Sequence, residues 1–235
     1  MFQTDPFSLI VLMVGLSLLP FVAMVATSYL KIVVVMSLIR NALGIQSIPP
    51  NMVVNALAMI LTFYIMAPMM GESWEIAKAE QARVAAVRST SAEQPAAAMQ
   101  PSVSLFDTAA LEKAAEPFRE FLSRHTSDRE RAFFVRTAER LWAKDPDVPA
   151  TVDPDSFYIL IPSFCVSELT KAFQIGFLVY LPFIAIDIIV SNILLAMGMM
   201  MVSPVTISLP FKLLLFVMVN GWTLLIQGLV RGYVI

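Results

Sequence analysis

Charge is segregated along this 235-residue chain more sharply than a soluble fold tolerates. Residues 72–155 carry 26 of the 34 charged side chains, 11 basic and 15 acidic. Elsewhere there are eight: Asp5, Lys31, Arg40, Glu168, Lys171, Asp187, Lys212 and Arg231. Soluble domains run near one quarter charged, whereas here the figure is 14%, with 58% hydrophobic residues and a mean hydropathy of +0.75. The pattern predicts an all-α membrane protein with one polar insert.

The same arithmetic excludes most chemistry. A net charge of −2 with no basic stripe gives no nucleic-acid partner. The single cysteine, Cys165, rules out an intrachain disulfide and a cysteine-held metal cluster. The single histidine, His125, rules out multi-histidine metal sites and a Ser/His triad in the apolar part. No catalytic residue, metal site or cofactor is expected. No phosphate-binding GxxxxGK loop occurs, so any driving energy comes from elsewhere.

Four hydrophobic zones are expected to form kinked or broken helices and hairpins. Phe7–Ile39 exceeds the roughly 20 residues of one span and is expected to tilt, kink at Pro20 or extend beyond the bilayer. Met52–Met70 has spanning length, opened by Pro49 and Pro50 and closed near Pro68. Phe157–Met201 is too long and too polar for one simple span, and Leu213–Val230 is the fourth zone. The N-terminus, MFQTDPF, has an acid and no base before a long apolar run, so it reads as a retained segment and not a cleaved signal peptide. The chain thus divides at 1–71, 72–155 and 156–235.

Orientation follows from basic residues in short connections. Lys31 and Arg40 lie between the first two zones without an acid, and Lys212 ends the turn between the last two. Both turns are expected in the cytoplasm, with the insert and the termini outside; Arg231 is a mild objection. Within the insert, 76–110 reads as flexible, with RSTSAEQPAAAMQPSVS (88–104) as its linker. The stretch 108–144 reads as a helical pair, the second helix opened by a Ser127–Glu130 capping box. Phe134, Ala138, Leu141 and Trp142 would share one side of that helix, and DPDVPATVDPD (145–155) leads back towards the membrane.

Polar residues in the third zone are the sharpest signal. Ionised groups facing lipid cost on the order of 2.5–3.5 kcal/mol or more. Glu168 and Lys171, three apart, share a helical face; they read as a boundary pair, an intersubunit contact or a pore lining. Gln174 follows on the same segment. Asp187, five residues after Pro182, which is itself expected to break the helix, finds no local partner in Asn192; it needs another helix, a second subunit, water or a proton. Structural polar glue and a proton relay both remain open. In MGMMMVSPVTISLPFK (197–212), Gly198, Pro204 and Pro210 argue for a broken or re-entrant segment. Its methionines are flexible apolar fillers able to close a hole reversibly.

Four stretches carry a resemblance: RNALGIQSIPPN (40–51), PFREFLSRHTSDRERAFF (117–134), IPSFCVSELTKAFQIGFLVYLPFIAIDIIV (161–190) and MGMMMVSPVTISLPFKLLLFVMVNGW (197–222). Together they resemble the SctR/FliP family of type III secretion export-apparatus proteins, shared by virulence injectisomes and flagella. The resemblance covers the membrane zones almost throughout and the distal half of the insert. It implies a pore-forming homo-oligomer, typically a pentamer, built with SctS-type and SctT-type subunits and associated with the SctU-type switch protein. Unfolded secretion substrates would cross the bacterial inner membrane through it, and the assembled complex would sit largely at or above the periplasmic face. It implies that Met199, Met200 and Met201 form a channel gasket and that Glu168 and Lys171 occupy charged family positions. Flagellar members generally carry a cleavable signal sequence, not seen here, which favours the injectisome type. The alanine-rich stretch from about 76 to 110 has no counterpart in the resemblance. Two other classes stay open: a proton-coupled intramembrane transporter or enzyme centred on Asp187, though no HExxH or second nearby acid supports it, and a membrane anchor with a binding module at 108–144.

Overall fold

A computed structural model describes residues 6–45, 48–91, 108–142 and 152–233, and among these it contains helices and no strands. In chain order the helices are α1 (Pro6–Val25), α2 (Tyr29–Ala42), α3 (Asn51–Ser91), α4 (Thr108–His125), α5 (Asp128–Trp142), α6 (Phe157–Ala196), α7 (Pro204–Met218) and α8 (Gly221–Arg231). Asn51–Glu80 and Phe157–Ala196 are long and apolar enough to cross a membrane. The α1–α2 and α7–α8 pairs each reach that standard as a bent pair, so the spans number two to four.

The chain forms two compact units, Met1–Ile65 with Cys165–Ile235, and Met66–Phe164. At the centre of the first is α2. Its Ile32, Val35, Met36, Ile39, Ala42 and Leu43 recur at helical spacing and are almost fully buried. Val54 and Ala58 of α3, Ala172 and Phe183 of α6, Phe216 of α7, and Leu225 and Leu229 of α8 close around them. Gly176 permits the close approach of α6, because a Cβ there would lie 3.2 Å from Leu38 Cβ and overlap the Leu38 side chain. The outer faces stay apolar and exposed, as at Phe63, Phe173, Phe177 and Leu214, which suits lipid or protein neighbours better than water.

In the second unit α4 packs on the first turns of α6. Phe121 meets Phe164 with ring centroids 5.7 Å apart, while Leu122, Ile159, Leu160 and Phe164 are buried. His125 turns its Nδ1 to the Phe121 carbonyl at 2.9 Å. Arg131 of α5 donates to Ser123 Oγ at 3.0 Å and reaches Asp155 Oδ1 at 3.3 Å, tying α4, α5 and the approach to α6. On α5 the expected apolar side is only partly used: Ala138 is buried, but Leu141 and Trp142 are exposed.

Several helix limits differ from the sequence expectations. The first zone breaks at Ala26–Ser28, whereas Pro20 lies inside α1. At the break, Thr27 Oγ1 donates to the Ala23 carbonyl and accepts from the Tyr29 N–H at 3.4 Å. The hydroxyl thus competes for backbone partners that would otherwise continue the helix. Pro68 does not end the second zone; α3 runs on to Ser91. Residues 76–91 are therefore helical and not a flexible lead-in, since Ala, Glu, Gln, Lys and Arg are strong helix formers. Of the rest of the stretch expected to be flexible, 92–107 lies outside the described residues, as do 143–151, and 108–110 belong to α4. The third zone is one helix of 40 residues that passes through Pro162 and Pro182 without ending. At ~1.5 Å per residue it is about 60 Å long, roughly twice a hydrocarbon core of about 30 Å. The fourth zone is split at Val219–Asn220, where α7 and α8 meet at 59°.

Candidate functional site

Two buried charge clusters and one exposed loop gather the candidate residues of the first unit. The first cluster centres on Glu168, whose side chain is 0% exposed. Lys31 Nζ of α2, 4% exposed, lies 2.9 Å from Glu168 Oε2. Lys171, one turn along α6, reaches Oε1 at 3.0 Å. The Tyr233 hydroxyl donates to Oε2, and Lys31 Nζ sits 3.6 Å from the centroid of the Tyr233 ring. Burial and the adjacent Glu168 carboxylate push the Tyr233 phenol above its ordinary range, so it remains a donor. One carboxylate thus ties together α2, α6 and the segment after α8. Unpaired, it would be costly at this depth.

Asp187 anchors the second cluster. Lys212 Nζ of α7, 4% exposed, lies 2.6 Å from Asp187 Oδ2 and donates to the Ala42 carbonyl at 3.2 Å. Ser208 Oγ donates to Asp187 Oδ1 at 2.6 Å. Ser208 and Lys212 are four apart, so one face of α7 supplies both partners. The needs of Glu168 and Asp187 are met inside the chain, where the sequence left a second subunit, water or a proton open. Gln174 does not join either cluster. It is exposed on α6 among Thr170, Phe173 and Phe177.

The methionine loop follows from a backbone motif. The Met199 N–H donates to the Leu194 carbonyl at 2.9 Å and the Gly198 N–H to the Leu195 carbonyl at 3.0 Å. Gly198 has φ +76°. This is a Schellman ending, in which a left-handed residue halts the helix and glycine adopts it without strain. Pro204 starts α7, where its missing N–H costs nothing. Between them Met199, Met200 and Met201 are 42%, 82% and 102% exposed. They are three flexible apolar side chains held away from the core by the ends of two helices.

In the sequence, Lys31 and Lys212 serve only as orientation markers. Their isolation within apolar zones was itself the signal, since a lone lysine there requires an acid. The Asn220–Gly221 break is likewise not among the expected ones, although Asn-Gly is a strong turn dipeptide; Asn220 has φ 50°. Among the described residues no group of His, Cys, Asp and Glu is arranged to hold a metal ion.

Apolar helices, outer faces without polar cover and charges buried as ion pairs define an α-helical membrane protein. Comparison with known proteins is specific: the FliP family model matches residues 12–229, and the chain belongs to that family. It is 47% identical to the hypersensitivity response secretion protein HrcR of Ralstonia nicotianae, covering 96% of each chain. Identity to the Yop proteins translocation protein R of Yersinia pestis is also 47%, over 97% of each. The flagellar biosynthetic protein FliP of Pectobacterium carotovorum is 40% identical, over 95% of this chain and 77% of that one.

Proposed function

We propose that this chain is a pore-forming core subunit of a type III secretion export apparatus in the bacterial inner membrane, with its insert in the periplasm. Several copies, about five by the family resemblance, would assemble with SctS-type, SctT-type and SctU-type subunits around a conduit for unfolded polypeptide. Identity of 47% over nearly whole chains to a hypersensitivity response secretion protein and a Yop proteins translocation protein supports the injectisome type. The flagellar relative, at 40%, is less similar than these two.

The observation that carries the reading is the exposed Met199–Met201 loop. Such side chains form a ring of low directional demand when copies are arranged about an axis, so the ring closes at rest and yields to many substrates. No covalent chemistry on this chain is required. The test is ion conductance of the assembled complex in planar bilayers with Met199, Met200 and Met201 all replaced by alanine. The gasket reading predicts a resting leak; unchanged conductance in a fully assembled complex contradicts it. A proton-relay role for Asp187 has less support, because Lys212 and Ser208 already occupy both carboxylate oxygens.

A further inference from the structure

The first unit contains two carboxylates among its described residues, Glu168 and Asp187, and both are held by lysines. Of its cations, Arg40 and Arg231 meet no carboxylate among the described residues. Arg231 is exposed at the end of α8. Arg40, at the end of α2, is partly buried, and its Nε is buried without a hydrogen-bond partner. Nη1 donates to the Pro49 carbonyl at 3.3 Å and to Asn51 Oδ1. An arginine so placed retains an unanswered positive charge and unused donors.

Arg40 lines a cavity of about 420 Å³ whose other walls include Leu213, Val217, Trp222 and Thr223. A second cavity, about 530 Å³, is walled by aliphatic and aromatic side chains of α2, α6, α7 and α8 and by Gly228. Phe216 and Gly221 are walls of both. At the polar end, α8 begins without a side-chain cap at Asn220, leaving first-turn N–H groups beside the same cavity. Trp222, 37% exposed, has the amphipathic character of residues at the lipid headgroup level. Of these two adjoining cavities, one therefore offers positive charge and N–H donors and the other an apolar trough, with Phe216 packed against Gly221 as the wall between them.

We infer that the two adjoining cavities together bind an anionic phospholipid lying across the Phe216–Gly221 wall, its phosphate on Arg40 and the first turn of α8, and an acyl chain along Val219, Leu224 and Gly228. The charge explains the selectivity and the trough explains why a headgroup alone is insufficient. Gly228 lines the trough, and a Cβ there would meet nothing within 4 Å, so a side chain at this position starts into open space.

The test is native mass spectrometry of the full-length protein in detergent, titrated with palmitoyl-oleoyl phosphatidylglycerol or the matching phosphatidylcholine. The inference predicts one retained phosphatidylglycerol, no comparable phosphatidylcholine adduct, and no displacement by inorganic phosphate. Arg40→Gln should weaken retention about tenfold or more, the scale of one lost charge-assisted hydrogen bond. Gly228→Leu should abolish it. Asn51→Ala removes the Arg40 side-chain partner but keeps the cation, and should still bind. Equal retention of both lipids, displacement by phosphate, or binding unaffected by Arg40→Gln overturns the inference. So does loss in Asn51→Ala equal to that in Arg40→Gln, which would make Arg40 a brace for its turn. Lost self-association in Gly228→Leu with lipid retention unchanged would make the groove a seat for a protein helix, and also overturns it.

Discussion

Lys31 Nζ and Glu168 Oε2 lie 2.9 Å apart although 137 residues separate them in sequence, and their side chains are 4% and 0% exposed. The pair joins α2, the centre of the first unit's core, to α6. It closes the unit from its N-terminal and C-terminal halves at once.

Removing one partner of this pair should cost more than removing both. Lys31→Ala leaves Glu168 buried with only Lys171 and Tyr233, and should lower stability by about 3 kcal/mol or more. Lys31→Met with Glu168→Gln exchanges the charges for neutral groups of similar size and should recover most of the loss. Equilibrium unfolding in mixed detergent micelles checks both. Equal losses for the single and the double variant would show that the ion pair is not what holds the helices.

Asp187 and Lys212 should respond unequally because they are buried unequally, at 34% and 4% exposed. Asp187→Ala strands a buried ammonium with the Ala42 carbonyl, and should cost about 3 kcal/mol. Lys212→Met leaves a carboxylate that is one-third exposed and still bonded to Ser208, and should cost roughly half as much. The same unfolding titration reads the difference. If the order is reversed, the burial of the pair is not governing its energetics. Export activity that survives in Asp187→Asn would favour the structural role over proton transfer.

Gly176 sets the spacing of α2 and α6 through Leu38. Gly176→Ala should destabilise by about 1–3 kcal/mol through overpacking, and Leu38→Ala in the same chain should relieve part of that cost. A strictly additive double variant, measured by thermal unfolding in detergent, would show that the two side chains do not compete for space.

Fold class was legible because it depends on summed hydropathy and charge placement, which no single contact overrides. Family membership was legible in ordered motifs such as SELTKAFQIGF and MGMMMVSPVTISLPFK. Helix limits were less so. Pro20, Pro68 and Pro182 looked like breaks, yet each lies within a continuous helix, because apolar helices tolerate the loss of one backbone bond. A break falls at Gly198, where the sequence expects one, and the others rest on Thr27 and Asn220, where a hydroxyl or a left-handed residue redirects the chain. Ion-pair partners 25 or more residues away in sequence, Lys212 for Asp187 and Lys31 for Glu168, follow from tertiary packing, and helical spacing alone cannot reveal them.

The claim that this chain lines a conduit is tested most directly by photo-crosslinking to an export substrate arrested in transit. A crosslinking residue placed singly at 199, 200 or 201 should trap the substrate. The same residue at Phe133 or Leu141, exposed on α5, should not. Crosslinks confined to the methionine loop are the result the account predicts. Silence at all three loop positions in a complex with substrate trapped, or equal crosslinking from α5, would contradict it.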